Sequence, residues 1–241
     1  MTQAVIITGA GGGIGVALCE RLRLDGYFTI GMDISAAPAA DAALQIDVSD
    51  SAQLIDVARE LAGEYDVKAV VHNAAVQPIA GAGATTVEEW TNALSVNVVA
   101  IDALAAGTRE SLAANDGSIV AIGSVHGRAT TGGVAAYATT KAALEGWVRS
   151  AALDLGPEIR VNAVAPGAID TAKLREGFAR WGDESAEKRK AILRQRTALR
   201  RIGDASDVAG AVSFLIGNDA RFVTGTVLVV DGGATARLGS E

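Results

Sequence analysis

The feature that most constrains the fold is a short apolar run that ends in glycines and leads into a helical pattern. Residues 4–8 are apolar and mostly β-branched, which is typical of a strand buried on both faces of a sheet. Residues 9–15 are glycine-rich, and from Ile14 onward apolar residues recur at helical spacing. A strand, a glycine turn and a helix in this order can hold a diphosphate on backbone N–H groups and a helix N-terminus.

Short apolar runs and helical patterns then alternate along the chain. Six further strands are predicted at residues 27–32, 44–47, 68–71, 118–122, 159–165 and 226–230. Helices are predicted between most of them, including one uninterrupted helix that opens with a capping box at residues 86–89 and runs past residue 104. This alternation predicts a seven-stranded parallel sheet with helices on both faces, an α/β fold of three layers. A length of 241 residues fits one such domain, 1–241.

Composition and charge exclude several classes of protein. The formal net charge is −7, which argues against nucleic acid or an anionic membrane as the main partner. One cysteine permits no intrachain disulfide, and two histidines with one cysteine argue against a metal site built from these ligands. No apolar run approaches the ~20 residues of a membrane span, and no signal peptide is evident. We therefore expect a soluble cytoplasmic protein with no metal, nucleic-acid or membrane partner.

Several residues of chemical or conformational interest follow directly after predicted strands. They are Gly9, Asp33, Asn73, Ser124 and Pro166. Ligands bind parallel α/β sheets at the carboxyl ends of the strands, near the point where the strand order reverses. We therefore expect one crevice at this edge of the sheet to collect all five residues.

Asp33 indicates which dinucleotide this crevice would hold. It lies twenty residues after Gly13, at the end of the second predicted strand. A carboxylate there can accept hydrogen bonds from both adenosine ribose hydroxyls and would repel a 2′-phosphate. Residues 34–36 supply no arginine to neutralise such a phosphate. The position predicts NAD rather than NADP, and the alternative is that Asp33 only caps the next turn.

Tyr137 and Lys141 are spaced for acid–base chemistry. At four residues apart on a predicted helix they lie on the same face. An ammonium beside a phenol favours the phenolate, so this spacing predicts a lowered tyrosine pKa and proton exchange near neutral pH. Such pairs are common on helices, and Lys141 can equally be a solvated surface residue. Only other motifs in the chain can indicate whether this pair is catalytic.

Taken together, the motifs resemble the single-domain form of the short-chain dehydrogenase/reductase family over nearly the whole chain. The matching motifs are Thr8-Gly9-x-x-x-Gly13-x-Gly15, Asn97, Ser124 at thirteen residues before Tyr137, Tyr137-x-x-x-Lys141, and Pro166-Gly167 with Thr171. The glycines also fit the spacing Gly9-x-x-Gly12-x-x-Gly15 of longer relatives, but 241 residues leave little room for their larger substrate domain. One departure is His72-Asn73-Ala74-Ala75, where the family usually has Asn-Asn-Ala-Gly.

The resemblance implies a doubly wound Rossmann-like fold and hydride transfer between NAD and a secondary alcohol or ketone. In the family's scheme Tyr137 is the acid or base, and Lys141 lowers its pKa and binds the nicotinamide ribose. Ser124 holds the substrate oxygen, and Asn97 holds a water that relays protons. The expected cofactor contacts are Gly9, Gly11, Gly12, Gly13, Ile14, Asp33, Asp47, Val48, Asn73, Ala74, Tyr137, Lys141, Pro166, Gly167, Ile169 and Thr171. The resemblance also implies a homotetramer.

The substrate is the part that the sequence determines least. Residues 171–201 are the expected substrate lid, and residues 173–201 carry a net charge of +6 against −13 for the remaining chain. Such a lid could attract an anionic substrate, or its charges could be solvated or lie in subunit contacts. The candidate substrate contacts are Gln77, Ser124, His126 and Trp181, for which a purely structural role is at least as plausible. The pattern favours a small polar substrate such as a hydroxy acid, polyol or sugar.

Other functions on the same fold stay open at this point. They are an NADPH-dependent ketoreductase, a non-catalytic NAD-binding module, and a different reaction such as enoyl reduction or dehydration. Enoyl reductases of this kin space their tyrosine and lysine more widely than the four residues found here.

Overall fold

Seven strands form one parallel sheet in the computed structural model, which describes residues 3–179 and 183–236. The strands are β1 Ala4–Thr8, β2 Phe28–Asp33, β3 Ala42–Gln45, β4 Val67–His72, β5 Ser118–Ile122, β6 Arg160–Pro166 and β7 Val227–Val230. Their spatial order is β3-β2-β1-β4-β5-β6-β7, and every pairing is parallel. The predicted seven-stranded sheet is therefore confirmed. The predicted range of β3, residues 44–47, is shifted by two residues. The strand ends at Gln45, and Ile46 and Asp47 lie beyond it.

Eight α-helices occupy segments between the strands in the described residues. They are α1 Gly13–Leu24, α2 Ser51–Glu64, α3 Val87–Leu94, α4 Ala100–Ala114, α5 Ala135–Asp154, α6 Ala172–Ala179, α7 Asp183–Arg196 and α8 Ala205–Ile216. The predicted capping box is confirmed, since Thr86 Oγ1 accepts from the N–H of Glu89 and the Glu89 carboxylate accepts from the N–H of Thr86. No helix in the described part of the chain is long and apolar enough to cross a membrane.

Helices cover both faces of the sheet because alternate strand residues point in opposite directions. Ile6 belongs to a core that includes buried residues of α2, α4 and α5. Its neighbour Ile7 belongs to a second core that includes buried residues of α1 and α8. All five residues of β1 are fully buried. This confirms the doubly wound three-layer α/β/α sandwich.

Small residues let the helices approach one another closely. A Cβ atom on Gly107 of α4 would lie 2.6 Å from the Cβ of Ala58 and 2.7 Å from the carbonyl oxygen of Ile55, both on α2. A larger residue at this crossing would force the two helices apart. The low aromatic content of the chain, 4%, fits such packing.

The strand order reverses between β1 and β4, which run side by side although they are not consecutive in the chain. Their last residues, Thr8 and His72, are paired in register. A parallel sheet opens a crevice beyond its carboxyl edge at such a point. The glycine turn after β1 and the segment after β4 therefore meet at the mouth of this crevice.

Candidate active site

The glycine turn fits tightly between β1 and the segment that follows β4. Gly9 has a φ of +65°, and a Cβ on it would lie 2.8 Å from the Cα of Ala74. A Cβ on Gly15 would lie 2.1 Å from the carbonyl oxygen of Gly9, so no larger residue fits there. Asn73 fixes the turn by donating from Nδ2 to the carbonyl of Gly9 at 2.9 Å. Gly12 then precedes the first turn of α1, whose N-terminus faces the crevice as a diphosphate site requires.

Asp33 is held against this turn at the end of β2. Its Oδ2 accepts from the N–H of Gly11 at 2.9 Å, and its Oδ1 accepts from both the N–H and the hydroxyl of Ser35. Asp33 therefore does cap the next turn, which was the alternative role, and at the same time it lies beside the glycine loop. Asp47 follows the paired end of β3, and Val48 after it is buried.

The segment after β6 returns to the glycine turn. A Cβ on Gly13 would lie 3.1 Å from Cγ2 of Thr171, so Thr171 lies against the start of α1. Gly167 donates its N–H to Val230 at 3.0 Å and packs on Asp231 too closely for any larger residue. Ile169 is buried. This placement brings residues 166–171 over the expected cofactor crevice.

Ser124, Tyr137 and Lys141 meet beyond the end of β5. Ser124 is buried, and its hydroxyl lies near enough to the phenol of Tyr137 to affect the pKa of that phenol. The ammonium nitrogen of Lys141 lies 5.7 Å from the centre of the Tyr137 ring and donates to the carbonyl of Ile122 at 2.7 Å. Lys141 is only 2% exposed, so it is not a solvated surface residue.

The ionisation of this group differs from the expectation. Burial raises the pKa of Tyr137 above its ordinary value, and the nearby hydroxyl of Ser124 offsets part of this increase in pKa. Burial and the charge of Lys173 lower the pKa of Lys141 to about 7. The predicted net lowering of the Tyr137 pKa is therefore not found in this structure. The physical reason is that the phenol is buried, and desolvation of the phenolate outweighs the lowering effect of Ser124.

Asn97 occupies a π turn that the sequence reading missed. Residues Ser95–Val99 form this turn between α3 and α4, and the N–H of Ala100 bonds the carbonyl of Ser95 five residues back. The predicted long helix is therefore interrupted at its functional residue, a frequent location for π turns. Asn97 is fully buried; its Oδ1 accepts from the N–H of Val76, and its Nδ2 donates to the carbonyl of Val76 and to Thr140 Oγ1, each at 2.9 Å. Its side chain ties the segment after β4 to α5.

Of the candidate substrate contacts, His126 lies against Tyr137. The ring of His126 meets the Tyr137 ring edge-on at a centroid distance of 5.8 Å, and its Nδ1 lies 2.8 Å from Thr130 Oγ1. Burial lowers the pKa of His126, so the ring is neutral at pH 7. Gln77 is half-buried and follows Val76, the residue that Asn97 holds. Trp181 falls outside the described residues.

An ion pair fastens the loop after Ser124 to the helix that carries Tyr137. Arg128 donates to both carboxylate oxygens of Glu145, at 2.8 and 3.2 Å. Glu145 is buried and lies four residues after Lys141 on α5. A Cβ on Gly127 would lie 3.2 Å from Glu145, so the loop packs directly on this helix. Sequence reasoning missed Glu145, although its spacing from Tyr137 and Lys141 places all three on one face.

Comparisons with known proteins agree with this geometry. The family model described as enoyl-(acyl carrier protein) reductase matches residues 9–235. Dehydrogenase/reductase SDR family member 4 of Oryctolagus cuniculus is 33% identical over 254 residues, covering 98% of this chain and 95% of that protein. The 3-oxoacyl-(acyl-carrier-protein) reductase MabA of Mycobacterium bovis is 33% identical over 238 residues, covering 97% and 93%.

Among solved structures, the ligand-free aldohexose dehydrogenase of Thermoplasma acidophilum superposes with a TM-score of 0.94 at 32% identity. The match covers 100% of this chain and 96% of that one. Similarity of this extent, in sequence and in fold, runs from the glycine turn to the last strand. The chain therefore belongs to the short-chain dehydrogenase/reductase family of oxidoreductases.

Proposed function

We propose that the protein transfers a hydride between NAD and a secondary alcohol or the corresponding ketone. The observation that carries the proposal is the closeness of Ser124 and Lys141 to Tyr137, at the edge of the sheet where the glycine turn lies. The spacing of four residues between Tyr137 and Lys141 favours this reaction over enoyl reduction, although the matching family model is named after an enoyl reductase.

Each of the side chains near the reacting atoms has its own role in the proposed reaction. Ser124 orients the substrate oxygen toward the phenol of Tyr137, which exchanges a proton with that oxygen. The nicotinamide ring, when bound, supplies or accepts the hydride. Because burial keeps Tyr137 protonated in this structure, the phenol is ready to donate a proton to a ketone. In the oxidation direction the charge of protonated Lys141 would favour the phenolate.

Asn97 takes part in this scheme chiefly as a support. Its amide groups are already bonded to Val76 and Thr140, and Thr140 Oγ1 in turn donates to the carbonyl of Tyr137 at 2.8 Å. Asn97 thus steadies the helical turn that carries the catalytic tyrosine. If it also holds a relay water, its main-chain carbonyl is the group that would do so.

Asp33 supports NAD as the cofactor. Three donors from Gly11 and Ser35 occupy three of the roughly four acceptor sites of its carboxylate, which leaves Oδ2 able to accept from a ribose hydroxyl. A 2′-phosphate would instead be repelled by this charge. We expect NAD to bind at least about tenfold more tightly than NADP, which corresponds to about 1.4 kcal/mol.

A small polar substrate fits the groups around Tyr137. Within the described residues, Nε2 of His126 has no hydrogen-bond partner, while Nδ1 is held by Thr130. A neutral imidazole with one nitrogen fixed in this way can bond a substrate hydroxyl beside the reacting carbon. Gln77 can supply a second polar contact from the opposite loop. These contacts suit a hydroxy acid, polyol or sugar, and we place the lid at residues 171–201, which include α6 and α7.

A second candidate is an NADPH-dependent ketoreductase. The similarity to a 3-oxoacyl-(acyl-carrier-protein) reductase favours it, because that name describes reduction of a ketone carried on a protein. Asp33 argues against the phosphorylated cofactor. As in the family, we also expect a homotetramer in the cytoplasm.

The decisive experiment is a panel of alcohols and ketones assayed with NAD(H) and NADP(H) at 340 nm. We expect turnover of small polar substrates with NAD, loss of turnover in Tyr137→Phe, and a preference for NAD that shrinks in Asp33→Asn. Asp56→Asn, which removes a surface carboxylate from α2, is the matched control and should keep the preference. A preference for NADP in the unmodified protein, or full activity of Tyr137→Phe, would contradict the proposal.

A further inference from the structure

His72 is a buried histidine with both ring nitrogens in hydrogen bonds. It is the last residue of β4 and is 1% exposed. Its Nδ1 lies 2.9 Å from Thr8 Oγ1, and its Nε2 lies 3.0 Å from the carbonyl oxygen of Val96. A carbonyl oxygen only accepts, so Nε2 must carry the proton. The family usually has asparagine at this position, and nothing in the reaction proposed above uses a histidine here.

Thr8 fixes the other side of the ring. Its hydroxyl oxygen accepts from the N–H of Asn73 at 3.0 Å and from the N–H of Ala74 at 3.1 Å. Both lone pairs of that oxygen are thereby used, so its single hydrogen is directed at Nδ1 of His72. A second proton on the ring would find no acceptor at Thr8. Consistently, burial and the nearby charge of Lys141 lower the pKa of His72 to about 3.

The carbonyl of Val96 lies where the hydrogen-bond pattern of the helix changes. In a regular α-helix it would accept from the N–H of Ala100, four residues later. In the π turn that N–H bonds Ser95 instead. A buried carbonyl is stabilised by a donor, and the N–H of His72 gives Val96 one from outside the helix in place of that of Ala100.

We propose that His72 is a positioning residue, whose neutral Nε2–H ring holds the π turn in place and couples it, through Thr8, to the glycine turn. Val96 directly precedes Asn97, so a shift of this carbonyl moves the amide that holds Val76 and Thr140. Thr140 bonds the carbonyl of Tyr137, and Asn73 and Ala74 border the glycine turn. His72 thus lies between the proposed cofactor loop and the proposed proton-transfer site. The catalytic consequence rests on the proposed function, whereas the hydrogen bonding does not.

The hydrogen bonding can be tested without any substrate. The chain has only two histidines, so 15N NMR of the ring nitrogens is simple to assign with a His126→Gln variant. We expect the His72 ring to carry its proton on Nε2 and not to titrate between pH 5 and 9. A ring that titrates near pH 6, or that carries its proton on Nδ1, would overturn the proposal whatever the enzyme acts on.

The catalytic consequence is tested by two substitutions that differ in where they place a donor. The amide nitrogen of a glutamine can reach the position of Nε2, whereas that of an asparagine reaches only the position of Nδ1. We expect His72→Gln to keep kcat within about threefold and His72→Asn to lower it about tenfold, with little change in KM for NAD.

Thr108→Val is the matched control, because it removes another buried hydrogen bond, to Leu104 on α4, away from the π turn. It should lower stability and leave kcat unchanged. Equal kcat in folded His72→Gln and His72→Asn would overturn the positioning role. If His72→Asn does not fold, either of two results overturns the positioning role. One is a kcat loss of more than threefold in His72→Gln, and the other is an NMR spectrum in which the His72 ring titrates near pH 6 or carries its proton on Nδ1. Absence of turnover in the unmodified protein would contradict the proposed function and leave the NMR test intact.

Discussion

Lys141 shows how burial sets the ionisation of a single residue. Its aliphatic part and ammonium are enclosed at 2% exposure, and the ammonium bonds only the neutral carbonyl of Ile122 among the described groups. Without a facing carboxylate, desolvation of the charge is the larger effect, and the lysine pKa falls to about 7. Its position four residues from Tyr137 could be read from the sequence, but its burial could not.

This shift predicts a stability that rises with pH. Between the folded pKa of about 7 and the ordinary value of 10.5, the unfolded chain binds a proton that the folded chain lacks. The destabilisation is therefore complete below pH 7 and is relieved as the pH rises above it. In protein without cofactor, the free energy of unfolding should increase from pH 7 to pH 9 by about 2 kcal/mol more than in Lys141→Met.

Urea unfolding at a series of pH values measures this difference. Lys190→Met is the control, since Lys190 lies on α7 and pairs with Glu187. It should keep the pH dependence of the unmodified protein. Parallel curves for the unmodified protein and Lys141→Met would show that Lys141 keeps an ordinary pKa in the folded state.

At the scale of the element, α3 is the helix whose start was best defined by sequence. Thr86 and Glu89 form a reciprocal capping box, and each satisfies a backbone N–H of the other. The helix then leads directly into the π turn that contains Asn97. The capping residue Thr86 and Asn97 therefore lie within a stretch of twelve residues. Local hydrogen bonds between residues three apart are the kind that a sequence motif can specify.

Removal of the N-terminal cap of α3 should lower the stability of the protein. We expect Thr86→Ala to lower the free energy of unfolding by about 1 kcal/mol, because one N–H of the first turn loses its acceptor. Thr86→Ser retains the hydroxyl and should stay close to the unmodified protein. Chemical denaturation of both variants gives the comparison. A Thr86→Ser variant as unstable as Thr86→Ala would show that the methyl group, not the cap, is what matters.

At the scale of the whole molecule, the order of the strands assembles the crevice from distant parts of the chain. The glycine turn follows β1, Asp33 ends β2, Asn73 follows β4, and Ser124 follows β5. These residues meet because the strands run parallel and their carboxyl ends share one edge. A ligand that bridges them should hold several elements together and stabilise the whole fold.

Thermal unfolding with and without dinucleotide tests this coupling. NAD at one hundred times its Kd should stabilise the protein by about 2.7 kcal/mol, which is ~5–10 °C in Tm for a chain of this size. NADP at the same concentration should give a smaller shift. Tyr137→Phe should keep most of the NAD shift while losing turnover, because its phenol serves proton transfer more than binding. Equal shifts with both dinucleotides would remove Asp33 from its proposed role.

The sequence by itself determined the elements and most of the candidate site. Apolar runs, helical spacing, glycines and capping residues act over a few neighbouring residues, so the seven strands, the glycine turn, Ser124, Tyr137 and Lys141 could be read directly. Only the tertiary structure decided the π turn, the ring state of His72 and the pKa directions of Tyr137 and Lys141. Each of these depends on burial or on hydrogen bonds between residues about twenty to sixty positions apart, such as Val96 with His72 and Thr8 with His72. Such contacts arise only once the sheet has placed β1, β4 and β5 side by side.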